Sequence, residues 1–170
     1  MTFAENYHDW LRDAYAMEKQ AEKMLSTLIE RSDRYPQFRQ RLEQHLIETR
    51  HQITLLDEIF ERNNISHSLI KDTVSKLEAF GMASVTTLSS DEIVKNAISS
   101  AVFEQLEVAC YTTLITAARQ AGDLAAVPVF ESILQQEKSM AEWALRHLPD
   151  ITDQFLLRSA PAGAGAKHCP

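Results

Sequence analysis

Glu48-Thr-Arg-His51 is the segment that decides the fold, together with Glu18, which lies 30 residues before Glu48. The Glu-x-x-His spacing puts a carboxylate and an imidazole on one helical face, about one turn apart. In the second half of the chain, Glu107 and Glu137 are again 30 residues apart. Two helical hairpins that each carry a carboxylate at one height on both arms form an oxygen-rich cage when they pack together. The spacing therefore predicts a di-iron carboxylate four-helix bundle.

Apolar residues that recur at steps of three and four predict four amphipathic helices. The predicted helices cover about residues 4–31, 36–63, 89–120 and 123–148 of a single all-α domain, residues 1–157. The bundle is antiparallel, with a long crossover over residues 64–88 that carries a short extra helix. A connector of this length is needed if the second and third helices run parallel. The Ala- and Gly-rich tail, residues 158–170, is predicted to be disordered.

The composition narrows the classes of protein to which the chain can belong. A length of 170 residues fits one domain, and a net charge of −7 gives no support to nucleic-acid binding. No segment approaches the roughly 18 apolar residues of a membrane span, and the first residues lack the pattern of a signal peptide. Cys110 and Cys169 do not form a disulfide framework. We expect a cytoplasmic protein that binds neither nucleic acid nor a membrane.

Carboxylates interrupt the apolar line of every predicted helix. Burying one unpaired ionised carboxylate costs several kcal/mol, so burying several would exceed a domain's net stability of roughly 5–15 kcal/mol. The neighbouring cations Lys19, Arg50 and Lys138 lie beside these lines and are expected to point outward. Divalent cations are the simplest compensation for this negative charge, unless the carboxyl groups are protonated or the apolar faces of the helices are wrongly placed. The carboxylates concerned are Glu18, Glu48, Glu104, Glu107 and Glu137.

Helix geometry places these groups close to one level of the bundle. Glu18 and Glu48 both stand roughly 22 Å from the first turn. Glu107 and Glu137 likewise stand at equal distances from the second turn. Oxygen ligands with an imidazole suit iron or manganese better than thiolate-binding metals. Met140 stands where symmetry would put a second imidazole, which predicts a more open second metal position. The predicted metal ligands are Glu18, Glu48, His51, Glu104, Glu107 and Glu137.

Two other side chains near the predicted site have alternative interpretations. His45 lies one turn before Glu48 and is expected at the rim of the site rather than on the metal. Tyr111 lies one turn past Glu107, where it can hydrogen-bond a ligand carboxylate or donate an electron, or simply fill the core.

The sequence also resembles the YciE/YciF group of ferritin-like bacterial stress proteins over nearly the whole predicted bundle. The resemblance implies a ferritin-like bundle with a crossover, usually dimeric, with a di-iron site and a ferroxidase-type role. The pair Glu104-x-x-Glu107 is similar to the third-helix ligation of rubrerythrins. The segments that carry the resemblance are Asp13-Ala-Tyr-Ala-Met-Glu-Lys-Gln20, His45-Leu-Ile-Glu-Thr49, Glu107-Val-Ala-Cys-Tyr-Thr-Thr-Leu114 and Gln136-Glu-Lys138.

These observations predict a stress-related homodimer that holds two iron ions, or manganese, and oxidises Fe(II) with dioxygen or peroxide. One alternative is a helical stress protein that binds metal, or is merely structural, without turnover. Met140, which stands where a second metal ligand is expected, favours that alternative. A manganese-catalase-like activity is a third interpretation, because the ligand types do not separate iron from manganese.

Overall fold

The structure is a computed structural model and describes residues 1–67 and 91–160. Within these ranges the long elements are all α-helices: α1 Phe3–Arg31, α2 Pro36–Arg62, α3 Glu92–Ala121 and α4 Val127–Ser159. The predicted crossover helix and the tail beyond residue 160 lie outside the described residues. In the part of the chain that is described, no helix is long and apolar enough to cross a membrane.

Contacts at the two ends of the bundle fix the direction of every helix. Near the α3–α4 turn, the Asp123 carboxylate accepts hydrogen bonds from Tyr7 at the start of α1 and from Arg62 at the end of α2. At the opposite end, Arg31 of α1 pairs with Glu92 of α3. α1 packs against α2 and α3, and α4 packs against the same two helices. Neighbouring helices are therefore antiparallel, α2 and α3 run parallel across the diagonal, and the predicted ferritin-like four-helix bundle is confirmed.

Local sequence signals explain where most of the helices begin and end. Thr2 and Glu5 form a reciprocal capping box at the start of α1. Pro36 opens α2, where a missing N–H costs nothing. Gly122 ends α3 in the left-handed conformation, with φ of 84°, which glycine adopts without steric cost. α4 starts at Val127, later than predicted, so Pro128 lies in its first turn and removes no helical hydrogen bond.

α4 extends eleven residues beyond the predicted end near Leu148, because Pro149 does not stop it. A proline inside a helix removes one hydrogen bond and costs about 3 kcal/mol. The carbonyl left without a donor belongs to Leu145, which is exposed, so water can serve it. The extension buries Ile151 against the second half of the core and places Arg158 over the ring of Tyr35, 4.5 Å from its centroid. These contacts offset the cost of the proline.

The buried apolar residues form two clusters with a polar layer between them. One cluster includes Leu11, Phe60 and Phe130, and the other includes Leu28 and Phe38. On α2 and α4, buried polar side chains separate the residues of the first cluster from those of the second, whereas on α1 Glu18 lies within the first cluster. The polar layer consists of Glu18, His45, Thr49, Gln52, Glu104, Glu107 and Glu137.

Candidate metal centre

The centre of the polar layer is a group of four residues that we call the central cluster: His45, Glu104, Glu107 and Glu137. Each offers one ligand atom, and these atoms all lie within 4.8 Å of one another. Nε2 of His45 lies 3.1 Å from Oε2 of Glu104 and 3.4 Å from Oε2 of Glu137. All four side chains are at most 1% exposed. Three helices thus deliver an imidazole and three carboxylates to one buried point.

His45 points inward because it lies on the buried stripe of α2. That stripe advances by alternating steps of four and three residues, the spacing of one helical face. Glu104 and Glu107 occupy neighbouring turns of the equivalent buried stripe on α3, and Glu137 lies on the buried stripe of α4. The buried stripe of α2 is Phe38, Leu42, His45, Thr49, Gln52, Leu56 and Ile59.

Glu48 orients the imidazole from outside the cluster. Its Oε2 lies 2.8 Å from Nδ1 of His45, and the same oxygen accepts a hydrogen bond from Nη1 of Arg41 at 3.3 Å. With Nδ1 engaged, Nε2 is the nitrogen that faces the three carboxylates. A carboxylate on the far nitrogen of a metal-binding histidine fixes the ring orientation and raises its basicity. Glu48 therefore fits the role of a supporting residue.

Two further donors each fix one oxygen of a carboxylate. The Tyr111 hydroxyl donates to Oε1 of Glu18, which is fully buried on α1. The side-chain amide of Gln52 donates to Oε1 of Glu137. Oε2 of Glu18 has no hydrogen-bond partner, and the nearest donor to Oε2 of Glu137 is Nε2 of His45 at 3.4 Å, so each carboxylate is fixed through one oxygen only.

The central cluster contains more buried acceptors than the surrounding residues satisfy. Buried polar atoms almost always have a partner, and an unpaired one costs about 1–3 kcal/mol. No Lys or Arg ion-pairs with the cluster among residues 1–67 and 91–160. The buried site atoms without a hydrogen bond of good geometry are Nε2 of His45 and Oε2 of Glu18, Glu104, Glu107 and Glu137, although Nε2 of His45 lies within ion-pair distance of two of these oxygens. Carboxylate oxygens with an imidazole nitrogen are the donor set of iron and manganese sites, so these residues fit a divalent metal.

Burial and mutual repulsion change the proton affinity of the cluster. Burial raises the pKa of Glu104 to about 7, although contact with His45 opposes the rise. Burial, followed by the charge of Glu137, raises the pKa of both Glu18 and Glu107 well above the ordinary range. Burial lowers the pKa of His45, but the adjacent carboxylates outweigh it and raise that pKa well above its usual value. A metal ion would therefore displace protons as it binds.

The structure brings together only part of the predicted ligand set. Glu104, Glu107 and Glu137 meet in the central cluster, and Glu18 is buried beside them, close enough that Glu137 and Glu104 raise its pKa. Glu48 lies at the margin with its side chain 21% exposed and paired with Arg41.

His51 is exposed and lies outside the group, because it is on the opposite side of α2 from the buried stripe. The imidazole of the cluster is that of His45, which sequence reasoning had assigned to the rim. The four-three stripe from Phe38 to Ile59 was the signal that could have identified it. The outward direction predicted for Lys19 and Arg50 agrees with the structure, where both pair with Glu22 on the surface.

Known proteins resemble the chain over almost its whole described length. A family model, "Domain of unknown function (DUF892)", matches residues 2–157. A crystal structure of a protein from Xanthomonas campestris pv. campestris is 36% identical, with a TM-score of 0.77, over 92% of this chain and 97% of that one. The E. coli stress protein YciF is 24% identical, with a TM-score of 0.73, over 90% and 98% of the two chains. YcfI from Rhodopseudomonas palustris is 29% identical, with a TM-score of 0.62, over 85% and 93%.

Proposed function

The chain belongs to the DUF892 family, and we propose that it is a di-metal carboxylate protein that oxidises Fe(II) with dioxygen or peroxide. The observation that carries the proposal is the meeting of four buried ligand atoms within 4.8 Å, from three helices, with Glu18 beside them. Several buried carboxylates at one point need compensating positive charge, and a pair of divalent ions would supply it in place of protons. Iron is our first assignment and manganese the second.

Each residue of the proposed site has a distinct task. His45 would hold one ion through Nε2, with its ring oriented by Glu48. Glu18, held by Tyr111, and Glu137, held by Gln52, would each present their second oxygen from opposite corners of the bundle. Glu104 and Glu107 lie one turn apart on α3, so together they can span two ions.

Ferrous iron is both the ligand and the electron donor in this proposal. Two Fe(II) ions give up one electron each, and dioxygen takes both with two protons to become hydrogen peroxide. When hydrogen peroxide is the acceptor, two electrons and two protons convert it to two water molecules. The carboxylates hold the ions and compensate the added positive charge. A stress-related role is a further part of the proposal, in line with the description of YciF as a stress protein. We also propose a cytoplasmic location and a homodimer.

Two histidines on the same helix provide the sharpest test of the site. His45→Gln and His51→Gln remove the same chemical group, one buried in the cluster and one exposed. After anaerobic dialysis against Fe(II) or Mn(II), elemental analysis should find bound metal in the wild type and in His51→Gln. His45→Gln should lose at least tenfold in affinity. If instead His51→Gln lost metal while His45→Gln kept it, the sequence-based ligand set would be the correct one.

Turnover needs its own measurement. Fe(II) added in air to the metal-free protein should produce ferric absorbance in the near ultraviolet faster than buffer does. His51→Gln should match the wild type, and Glu107→Gln should fall to the buffer rate. A wild type that binds iron but oxidises it no faster than buffer would refute the ferroxidase part and leave the metal site standing.

A non-catalytic metal-binding role is the second candidate. The composition of α4 favours this candidate. α4 contributes only Glu137 to the site, because Met140, one turn later, is fully buried in the second apolar cluster. A site with a thioether in place of a second imidazole has fewer ligands for one of its ions. Metal content with no turnover under dioxygen or peroxide is the result expected for this candidate.

A further inference from the structure

A second site lies at the end of the bundle where α1 and α4 finish and α3 begins. A cleft of about 500 Å³ opens there between the helix ends. That volume is within the range of small-molecule sites, roughly 300–1,000 Å³. Arginines and apolar side chains line it together. The lining residues on which the argument depends are Arg31, Arg34, Arg158, Tyr35, Phe155 and Asn96.

The cleft exists because α4 continues past Pro149. The last two turns of that helix bring Phe155 and Arg158 to the cleft. The guanidinium of Arg158 stacks on the ring of Tyr35, with its central carbon 4.5 Å from the ring centroid. A stacked guanidinium keeps its N–H groups at the edge, where they can donate to a ligand. The helix extension that the sequence did not predict therefore builds one wall of the site.

Positive charge is concentrated in this cleft, although the whole chain carries a net charge of −7. Arg31 is neutralised by an ion pair with Glu92. For Arg34 and Arg158, the described ranges 1–67 and 91–160 contain no carboxylate at ion-pair distance. Two guanidinium groups are thus left to face one cavity, which matches a ligand group with two negative charges.

Asn96, which lines the cleft, has a buried atom without a hydrogen bond. Asn96 is fully buried, and its Oδ1 accepts no hydrogen bond from the protein. Its Nδ2 lies 3.5 Å from Oε1 of Glu92, which leaves Oδ1 as the group without a partner. A carbonyl oxygen in this position needs a donor, and a ligand hydroxyl would supply it.

We propose that this cleft binds a small organic phosphate. Guanidinium groups bind phosphate oxygens through paired N–H donors, and a phosphate monoester carries about −1.5 to −2 charges at neutral pH. The two unpaired arginines favour that charge over the single charge of a carboxylate. Tyr35, Ile93 and Phe155 provide an apolar wall for the organic part, since the cavity is much larger than a phosphate ion. The proposal is independent of the metal centre.

Three small probes separate the contributions of the charged group and the apolar body. Calorimetric titrations at constant ionic strength would compare phenyl phosphate, inorganic phosphate and phenol on the full chain. Phenyl phosphate should bind saturably and at least tenfold more tightly than inorganic phosphate, and phenol should not bind. Equal affinity for phenyl phosphate and phosphate, binding of phenol alone, or no saturable binding would each overturn the proposal.

Variants assign the binding to the cleft. Arg34→Gln and Arg158→Gln should each weaken phenyl phosphate at least tenfold. Arg146→Gln is the matched control, because this arginine is on α4 but is paired with Glu142 outside the cleft. Arg34 lies in the α1–α2 turn, so its substitution tests the site even if Arg158→Gln loosens the end of α4. Unchanged affinity in both cleft variants would overturn the assignment.

Discussion

The bundle contains two polar clusters, and they are built in opposite ways. The turn cluster, at the α3–α4 turn, consists of Asp123 with three donors: Tyr7 at 2.9 Å, Asn63 at 2.8 Å and Arg62 at 3.0 Å. One carboxylate meets one guanidinium and two neutral donors, so its charge and hydrogen bonds are balanced. The central cluster has three carboxylates and one imidazole, and each of its four members has an atom without a hydrogen bond, so one imidazole faces more carboxylate oxygens than it can serve.

This difference separates a structural network from a candidate metal site. The turn cluster ties α1 and α2 to the α3–α4 turn and needs nothing from solution. The central cluster is destabilising by itself, because low dielectric makes unpaired polar atoms costly. The central cluster lies at a level of the bundle where buried polar side chains of all four helices are close together, and such a level can surround an ion. Perturbing the two clusters should therefore have effects of opposite sign in the metal-free protein.

The largest expected effect is that of metal removal. Ligand that binds only the folded state at a thousand times its Kd stabilises by about 4 kcal/mol, which is roughly 8–16 °C in Tm for a chain of this size. Treating the metal-loaded wild type with a chelator should lower Tm by an amount of this order. Differential scanning calorimetry with and without chelator measures it.

Variants of the turn cluster and of the central cluster should differ in how far the chelator lowers their Tm. A turn-cluster variant such as Asp123→Asn should show the full chelator effect, and a central variant such as Glu107→Gln should show almost none. The exposed residue Glu142 offers a control, Glu142→Gln, that should behave as the wild type. A chelator effect that persisted in Glu107→Gln would place the metal elsewhere.

The next largest effect concerns the turn cluster. Asp123→Ala leaves the hydroxyl of Tyr7, which is only 1% exposed, without an acceptor, and also removes the ion pair with Arg62. The expected loss is roughly 2–3 kcal/mol of unfolding free energy, with or without metal. Urea unfolding measures it, and Tyr7→Phe serves as the partner variant. The double variant, Asp123→Ala with Tyr7→Phe, should lose about as much unfolding free energy as Asp123→Ala alone. A much larger loss in the double variant would mean that the two residues do not act together.

Most of the fold could be predicted because the helices obey periodic patterning. The steps of three and four residues predict which side chains of the first and third helices face the core, and every one of them is buried: Leu11, Ala14, Glu18, Ala21, Leu25 and Leu28 on the first, and Ile93, Ala97, Ser100, Glu104, Glu107, Tyr111, Leu114 and Ala118 on the third. The end of α4 could not be predicted in this way, because proline is a local helix breaker and the contacts that override it, such as Arg158 over Tyr35, come from other parts of the chain.

The membership of the central cluster was harder to predict because it depends on the rotation of α2. Glu-x-x-His is only a spacing, and His45-x-x-Glu48 in the same helix has the same spacing in reverse order. The sequence pattern places Ile47 on the apolar face of the second helix, about one turn before His51, whereas in the structure Ile47 is 69% exposed. An unbroken step pattern carries more information about helix rotation than any single apolar residue.

A smaller effect, opposite in sign to that of Asp123→Ala, is expected in the metal-free central cluster. Glu107→Gln keeps the shape of the side chain but removes a carboxyl group whose pKa is raised by burial and by Glu137. We expect the metal-free variant to be roughly 1–2 kcal/mol more stable than the metal-free wild type. Urea unfolding in the presence of chelator measures the difference. Destabilisation instead would show that this carboxyl group is satisfied within the fold.

The smallest expected effect is a pH dependence that belongs to the turn cluster alone. Burial raises the pKa of Asp123, but hydrogen bonds from Asn63, Tyr7 and Arg62 outweigh it, so the folded pKa lies below the ordinary value. Its charge therefore stabilises the fold at every pH above the unfolded pKa, roughly 3.9. This contribution disappears as the pH falls through the folded value.

The difference in unfolding free energy between the wild type and Asp123→Asn isolates this contribution from the other carboxyls. It should be constant from neutral pH down to about 5 and then shrink below about 4. Metal-free protein is required, because protons also compete for the central cluster. A difference that shrank between pH 6 and 8 would mean that the variant disturbs the central cluster, where the pKa of Glu104 is about 7. The two clusters would then be linked through the bundle, contrary to their separate construction.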